Sequence, residues 1–149
     1  MLRRKDKGFT LIELLIVVAI IGIIAAIAIP NLLNAIDRGK QKRTMADIRS
    51  VGTAIEEYSI DLNVYPAAGT NFTTLTGVIE PLYIRNAPDR DGWSRALQCN
   101  STNTEYTLCS GGKDGGNCTG DGNGAQTSFN ASITFANGQF VQWPEGAQR

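Results

Sequence analysis

Glu13 is the one ionisable side chain in an apolar run that extends from Phe9 to Ile29. An acid at the centre of a membrane helix costs about 2.5–3.5 kcal/mol on insertion, and less near its end. A carboxylate kept in such a run either sits near the interface, where it is simply solvated, or calls for a partner. A single cut supplies one. Hydrolysis of the bond after Gly8 removes the basic segment Met1–Gly8 and leaves a new α-amino group on Phe9, in the first turn before Glu13. A cation and an anion at the same depth can pair between neighbouring copies and fix the axial register of a helix bundle.

A second group of residues could hold a metal ion. The segment 114–124 is rich in Asp, Asn and Gly, with Asp114 and Asp121 as charged oxygen donors and Asn117 and Asn123 beside them. Calcium takes six to eight such oxygens. The spacing is not that of an EF-hand, which ends in Glu, and Gly-Asn-Asp clusters also serve simply as turns. Cys99, Cys109 and Cys118 allow three pairings, each leaving one thiol over. Cys109–Cys118 would staple the Gly-rich loop to the segment before it, and Cys99–Cys109 would cross a hairpin. The first is favoured, because that loop has least structure of its own. There is no C-x-x-C and no His, which argues against redox catalysis, zinc and the commonest general base. No nucleophile has a partner in view, so an enzyme is not expected.

These groups must be positioned by a helix and a small head. Phe9–Ile29 spans 21 residues, about 31 Å of helix, enough for one bilayer crossing. Arg3, Arg4, Lys5 and Lys7 outweigh Asp6 in the leader, which holds the N-terminus in the cytoplasm and sends the rest across. A cleaved secretory signal would have a shorter apolar core. Ala26-Ile27-Ala28 mimics its cleavage site, but Pro30 follows and the helical pattern continues. A plain signal anchor explains the run but not Gly8, Phe9 and Glu13. The whole chain has 14 basic and 14 acidic residues. Loss of the leader takes mostly basic ones and leaves a mild acidic excess, with no case for nucleic-acid binding.

Met45, Ile48, Val51, Ile55, Tyr58 and Leu62 recur at helical spacing. One helix from Phe9 to about Leu62 is expected, roughly 80 Å long, with Gly22 and Pro30 as its points of flexibility. Between its halves, Asp37–Arg43 carries Arg38, Lys40, Lys42 and Arg43, read as a solvated face that could also meet acids such as Glu56 or Glu57 of a neighbour. Tyr65-Pro66 turns the chain off the helix, and residues 71–80 form a short helix or a loop. Ala87–Trp93 is a turn leading to an aromatic anchor. Strands are expected at Arg95–Cys99 and Tyr106–Cys109, joined by a turn at Asn100–Glu105. A hairpin is expected at Ile133–Ala136 and Gln139–Trp143, across Asn137-Gly138. Tyr58, Trp93, Phe135, Phe140 and Trp143 are the expected core. The fold class is α+β: a long N-terminal helix whose second half packs on a small antiparallel sheet. The parts are a leader (1–8), a transmembrane and assembly helix (9–29), an amphipathic helix (30–63) and a β-rich head (64–149).

Gly8-Phe9-Thr10-Leu11-Ile12-Glu13, followed by the apolar run and Pro30, strongly resembles the prepilin signature of type IV pilins and type II secretion pseudopilins. The resemblance implies cleavage after Gly8 by a prepilin peptidase and N-methylation of Phe9. It also implies assembly into a helical homopolymer in which Glu13 reads the N-terminus of a neighbour. Further along, Tyr65-Pro66, Pro88–Trp93 and Tyr106–Gly115 are similar to the G-type major pseudopilins. The turn departs from that pattern at Trp93-Ser94-Arg95-Ala96, and the C-terminal hairpin departs from its short acidic tail. G-type pseudopilins bind calcium in the loop that corresponds to Asp114–Gly124.

The expected function is thus a structural subunit of a type II secretion pseudopilus. Its expected partners are copies of itself, minor pseudopilins, the prepilin peptidase and an inner-membrane assembly platform with a cytoplasmic ATPase. It would wait as a single-pass inner-membrane protein with a periplasmic head, then enter the filament. A type IV pilus subunit for adhesion, motility or DNA uptake is the alternative, and a membrane-tethered binding domain that never assembles is another.

Overall fold

The computed structural model describes residues 8–118 and 123–146. Leader residues 1–7 and Asp121 lie outside them. The elements are α1 (Leu11–Leu62), α2 (Phe72–Ile79), β1 (Gln98–Ser101), β2 (Tyr106–Ser110), β3 (Gly124–Gln126), β4 (Ile133–Ala136) and β5 (Gln139–Pro144). The chain divides into two compact units, Met1–Ala35 and Ile36–Arg149.

In the first unit, the apolar side chains from Phe9 to Ile29 stand exposed, Phe9 at 85% and Ile29 at 56%. A helix apolar on all sides must be buried by something other than its own chain. α1 meets the length and composition needed to cross a membrane. It is helical through both Gly22 and Pro30. Pro30 has no N–H to donate to the preceding turn, and next to it the Asn31 amide donates to the Ile27 carbonyl at 3.1 Å.

In the second unit, α1 buries one stripe: Asp37, Gln41, Thr44, Ile48, Val51, Gly52, Ala54 and Ile55. The intervals of three and four are those of a single helix face. The stripe starts polar and becomes apolar. Tyr58 is only half-buried and Leu62 is exposed, so the apolar face ends about two turns earlier than its periodicity predicts.

The sheet has the order β1-β2-β4-β5-β3. The first four strands are antiparallel, with Cys99 opposite Leu108 and Leu108 opposite Phe135. β3 adds to β5 in parallel. That three-residue strand has no alternation to read, and it follows the Gly-rich loop. The β4–β5 turn is Asn137-Gly138 with φ of 46° and 84°, the left-handed pair that a tight hairpin requires. The first hairpin lies later than expected: β1 begins at Gln98 rather than Arg95. Its turn is tightened by Thr102, whose hydroxyl accepts from the Glu105 N–H at 3.2 Å.

Ile48, Val51 and Ile55 of α1 form the core with Leu75 and Ile79 of α2 and with Tyr106, Leu108, Ile133 and Phe135 of the sheet. Asn71 caps α2, its side-chain oxygen accepting from the Thr73 and Thr74 N–H groups at 3.0 and 3.2 Å. Phe135 is a core residue, packed edge-on against Phe140. Trp143 is exposed, a correction to the expected core, because it sits on the outward side of β5 while its neighbour Gln142 is buried. Gly52 is where helix and sheet come closest: a Cβ there would collide with the Phe135 ring.

Candidate functional site

Three places carry the polar chemistry of the described residues. The first is the start of α1. Thr10 is its cap: the Thr10 hydroxyl accepts from the Glu13 N–H at 3.3 Å. Glu13 Oε2 in return accepts from the Thr10 N–H at 2.9 Å and the Thr10 hydroxyl at 2.7 Å. This reciprocal pair is a capping box. The Thr-x-x-Glu spacing is the sequence signal for this cap, and it gives Glu13 a structural partner within its own chain beside the expected pairing with a Phe9 amine. Gly8 and Phe9 are exposed just before the cap.

The second place is a clasp between α1 and two loops of the head. Asp37 is buried, and its two oxygens are both used. Trp93 Nε1 donates to Oδ1 at 3.1 Å, and Lys113 Nζ donates to Oδ2 at 2.8 Å. Two turns further along, the Thr44 hydroxyl accepts from the Gly92 N–H at 2.9 Å. The loop lies directly on the helix backbone here, since a Cβ at Gly92 would strike the Lys40 carbonyl. Behind it, Asp91 is a buried hub. Its Oδ1 accepts from the Trp93 and Arg95 N–H groups, and its Oδ2 accepts from the Ser110 hydroxyl at 2.7 Å. Burial pushes the Asp37 carboxyl up, but the hydrogen bonds from Lys113 and Trp93, with the charges of Lys113 and Lys40, outweigh it. The net effect holds Asp37 below the ordinary aspartate value. Trp93 is thus a half-buried donor to Asp37, not the apolar core residue expected. Sequence reasoning missed Asp37 and Lys113, because the partners lie 76 positions apart.

Glu56 is occupied within its own head. Its oxygens accept from the Tyr106 hydroxyl at 2.8 Å and the Tyr65 hydroxyl at 3.3 Å. Burial, with the hydrogen bond to Glu56 and its charge, pushes the Tyr106 hydroxyl far above the usual range. Glu56 is therefore a structural acceptor, and Glu57 is the exposed one of the two acids.

The third place is the loop after β2. Cys109 and Cys118 are joined in a disulfide, and Cys99 is a buried thiol that burial pushes up. The loop is folded on itself: the Gly116 N–H donates to the Gly111 carbonyl at 3.1 Å and to Asp114 Oδ1 at 3.1 Å. The Lys113 N–H donates to the Phe129 carbonyl, and Arg95 Nη2 donates to the Lys113 carbonyl at 2.9 Å. Asn117 and Asn123 are exposed. Among the described residues there is no group of three or more His, Cys, Asp or Glu side chains that could hold a metal ion. Of the expected calcium ligands among the described residues, Asp114 is the carboxylate, and it accepts from the Gly116 N–H of its own loop; Asp121 lies outside the described residues.

None of the three places joins a nucleophile to a base. The second of them ties two loops of the head to the second half of α1.

Comparison with known proteins agrees with that arrangement. Residues 3–29 match the family model described as the prokaryotic N-terminal methylation motif, and residues 31–128 match that of type II secretion system protein G. The chain is 32% identical over 133 residues to the type II secretion system core protein G of Vibrio cholerae, covering 78% of this chain and 89% of that protein. It is 32% identical over 131 residues to the protein of the same name in Pseudomonas aeruginosa, covering 78% and 92%. To that of Escherichia coli K12 it is 26% identical over 113 residues, covering 74% and 77%.

Proposed function

The chain belongs to the type II secretion protein G family, and from that membership we propose that it is the major structural subunit of a secretion pseudopilus. One observation carries the mechanism: the apolar side chains from Phe9 to Ile29 are exposed on α1, while the polar clasp at Asp37 lies further along the same helix. Such a surface has two places to go. Before assembly it is solvated by a bilayer, since its length matches the hydrocarbon core. After assembly it is covered by the same surface of neighbouring copies.

The passage between them sets the roles of the N-terminal residues. Cleavage after Gly8 by a prepilin peptidase frees the Phe9 amine, which is then methylated. Glu13 offers that amine of an incoming neighbour a counter-charge in an apolar surrounding, where an unpaired carboxylate is costly. An ATPase-driven platform in the inner membrane supplies the work of extraction, and minor pseudopilins start the filament. The head lies in the periplasm. The same chemistry would serve a type IV pilus; membership in the protein G family favours the secretion filament.

A calcium ion in the loop after β2 is a separate proposal, resting on Asp114, Asn117, Asp121 and Asn123. Thermal unfolding in calcium against EGTA tests it: a raised midpoint supports the ion, and an unchanged one removes it. The main reading is tested by electron microscopy of sheared fibres from cells carrying the chain with its secretion machinery. Wild type is expected to give fibres and Glu13→Ala none. Fibres of normal number and length from Glu13→Ala would contradict the role assigned to the carboxylate.

A further inference from the structure

The sheet edge formed by β1 is covered at two places and open between them. Ser101 exchanges both of its backbone hydrogen bonds with Gly69 at 2.8 Å, and the Leu97 N–H donates to the Asp89 carbonyl at 2.8 Å. Tyr106, which lies opposite Ser101, turns its own N–H and carbonyl to Asn137. Ser101 and Tyr106 are thus a pair that exchanges no hydrogen bonds with each other. In an antiparallel ladder such pairs alternate with bonded ones, so Cys99 and Leu108 are the next pair of this kind. The Cys99 N–H and carbonyl therefore point to the outer edge, as the Leu97 N–H and the Ser101 groups do. They meet the gap between Asp89 and Gly69, where no backbone group of the described residues bonds to them.

Cys99 is only 6% exposed, and it lines a cavity of about 380 Å³ together with Thr70, the residue after the covering Gly69. Gln98, Asn100 and Thr107 line the cavity from one face of the β1–β2 pair, and Asn117 lines it from the loop after β2. These side chains bring amides and hydroxyls and no charge. A buried backbone donor and acceptor without partners are costly, and such a pair on an edge strand is a template for another chain.

We propose that this gap takes one residue of an extended, uncharged polypeptide segment from another protein. The carbonyl of that residue accepts from the Cys99 N–H, and its N–H donates to the Cys99 carbonyl, as an added strand does at a sheet edge. The covers at Asp89 and Gly69 limit the pairing to that one residue. The neutral lining selects against a charge, which would lose its water there without gaining a counter-ion.

The test uses the full-length, nitrogen-labelled chain in detergent micelles, followed by NMR. The probe is the capped tripeptide acetyl-Thr-Ala-Thr-amide. Without the probe, the Cys99 amide is expected to exchange with solvent faster than those of Leu97 and Ser101, whose N–H groups are bonded. With it, the Cys99 signal is expected to shift saturably, with half-saturation at about 1 mM, and its exchange to slow. Asn100→Ala is expected to weaken binding roughly fivefold, with an otherwise unchanged spectrum. Asn130→Ala, an exposed amide lost away from the cavity, is expected to bind as wild type does. A Cys99 amide protected as well as that of Ser101 would show that the group is already paired and overturn the inference. So would the absence of a saturable shift at Cys99, or equal affinity in Asn100→Ala. Propionamide binding as tightly as the tripeptide would make this a pocket for any carboxamide and overturn the extended-peptide reading.

Discussion

Lys113 reaches across from the loop after β2 to place its ammonium 2.8 Å from the buried carboxylate of Asp37 on α1. The lysine side chain is 51% exposed and the aspartate 9%, so the pair is buried on one side only. Trp93 completes the site from a third segment. Helix, αβ connection and sheet loop are thus tied at one carboxylate, directly after the apolar part of the helix.

This tie should depend on pH in a defined direction. Asp37 titrates below its ordinary value in the folded head. Its contribution is fully present above the unfolded value, about 3.9. It is lost as pH falls from there through the folded value. Asp37→Asn should lower the thermal midpoint at pH 7, at a cost of about 1–2 kcal/mol given the exposure of Lys113. The gap between wild type and variant should close below about pH 4. A gap of constant size down to pH 2 would mean that the charge has no part in it.

Gly52 faces the ring of Phe135 with no room for a side chain. Gly52→Ala should destabilise the head by about 1–3 kcal/mol through overpacking. Combined with Phe135→Leu, the loss should be smaller than the two single losses added together. Denaturant unfolding of the four proteins measures it. Strict additivity would show that the contact is not what makes Gly52 necessary.

The disulfide closes a short loop, with a sequence separation of 9. Chain entropy assigns such a closure about 2.6 kcal/mol. Cys109→Ser/Cys118→Ser should lose an amount of that order, while Cys99→Ser should leave the crosslink intact. Thiol titration of the unfolded protein should find one reactive group in wild type, none in Cys99→Ser and two in Cys109→Ser. Three in wild type from cells would mean that the bond does not form.

Much of the helix was legible because α1 is governed by local rules. Thr10-x-x-Glu13 starts it, Ile48, Val51 and Ile55 repeat at helical spacing, and Asn63 ends it in the left-handed region at φ 58°. Asn137-Gly138 marked its hairpin for the same reason. The clasp was not legible. Asp37 sits among Arg38, Lys40 and Lys42 in what reads as a solvated face, and only the tertiary fold brings Lys113 to it. Trp93 and Trp143 misled in the same way, since hydrophobicity alone does not tell a core ring from a donor or an outward strand position. β3 escaped because three residues after a Gly-rich loop carry no period.

In the proposed function, assembly competence depends first on cutting the bond between Gly8 and Phe9. The most direct measurement is the N-terminal residue and mass of the protein recovered from cells, for wild type and Gly8→Ala. A wild-type chain that starts at Phe9 and is heavier by one methyl group, with Gly8→Ala left uncut, is the result the account predicts. A wild-type chain that still starts at Met1 would contradict it and leave a membrane tether that never becomes a filament subunit.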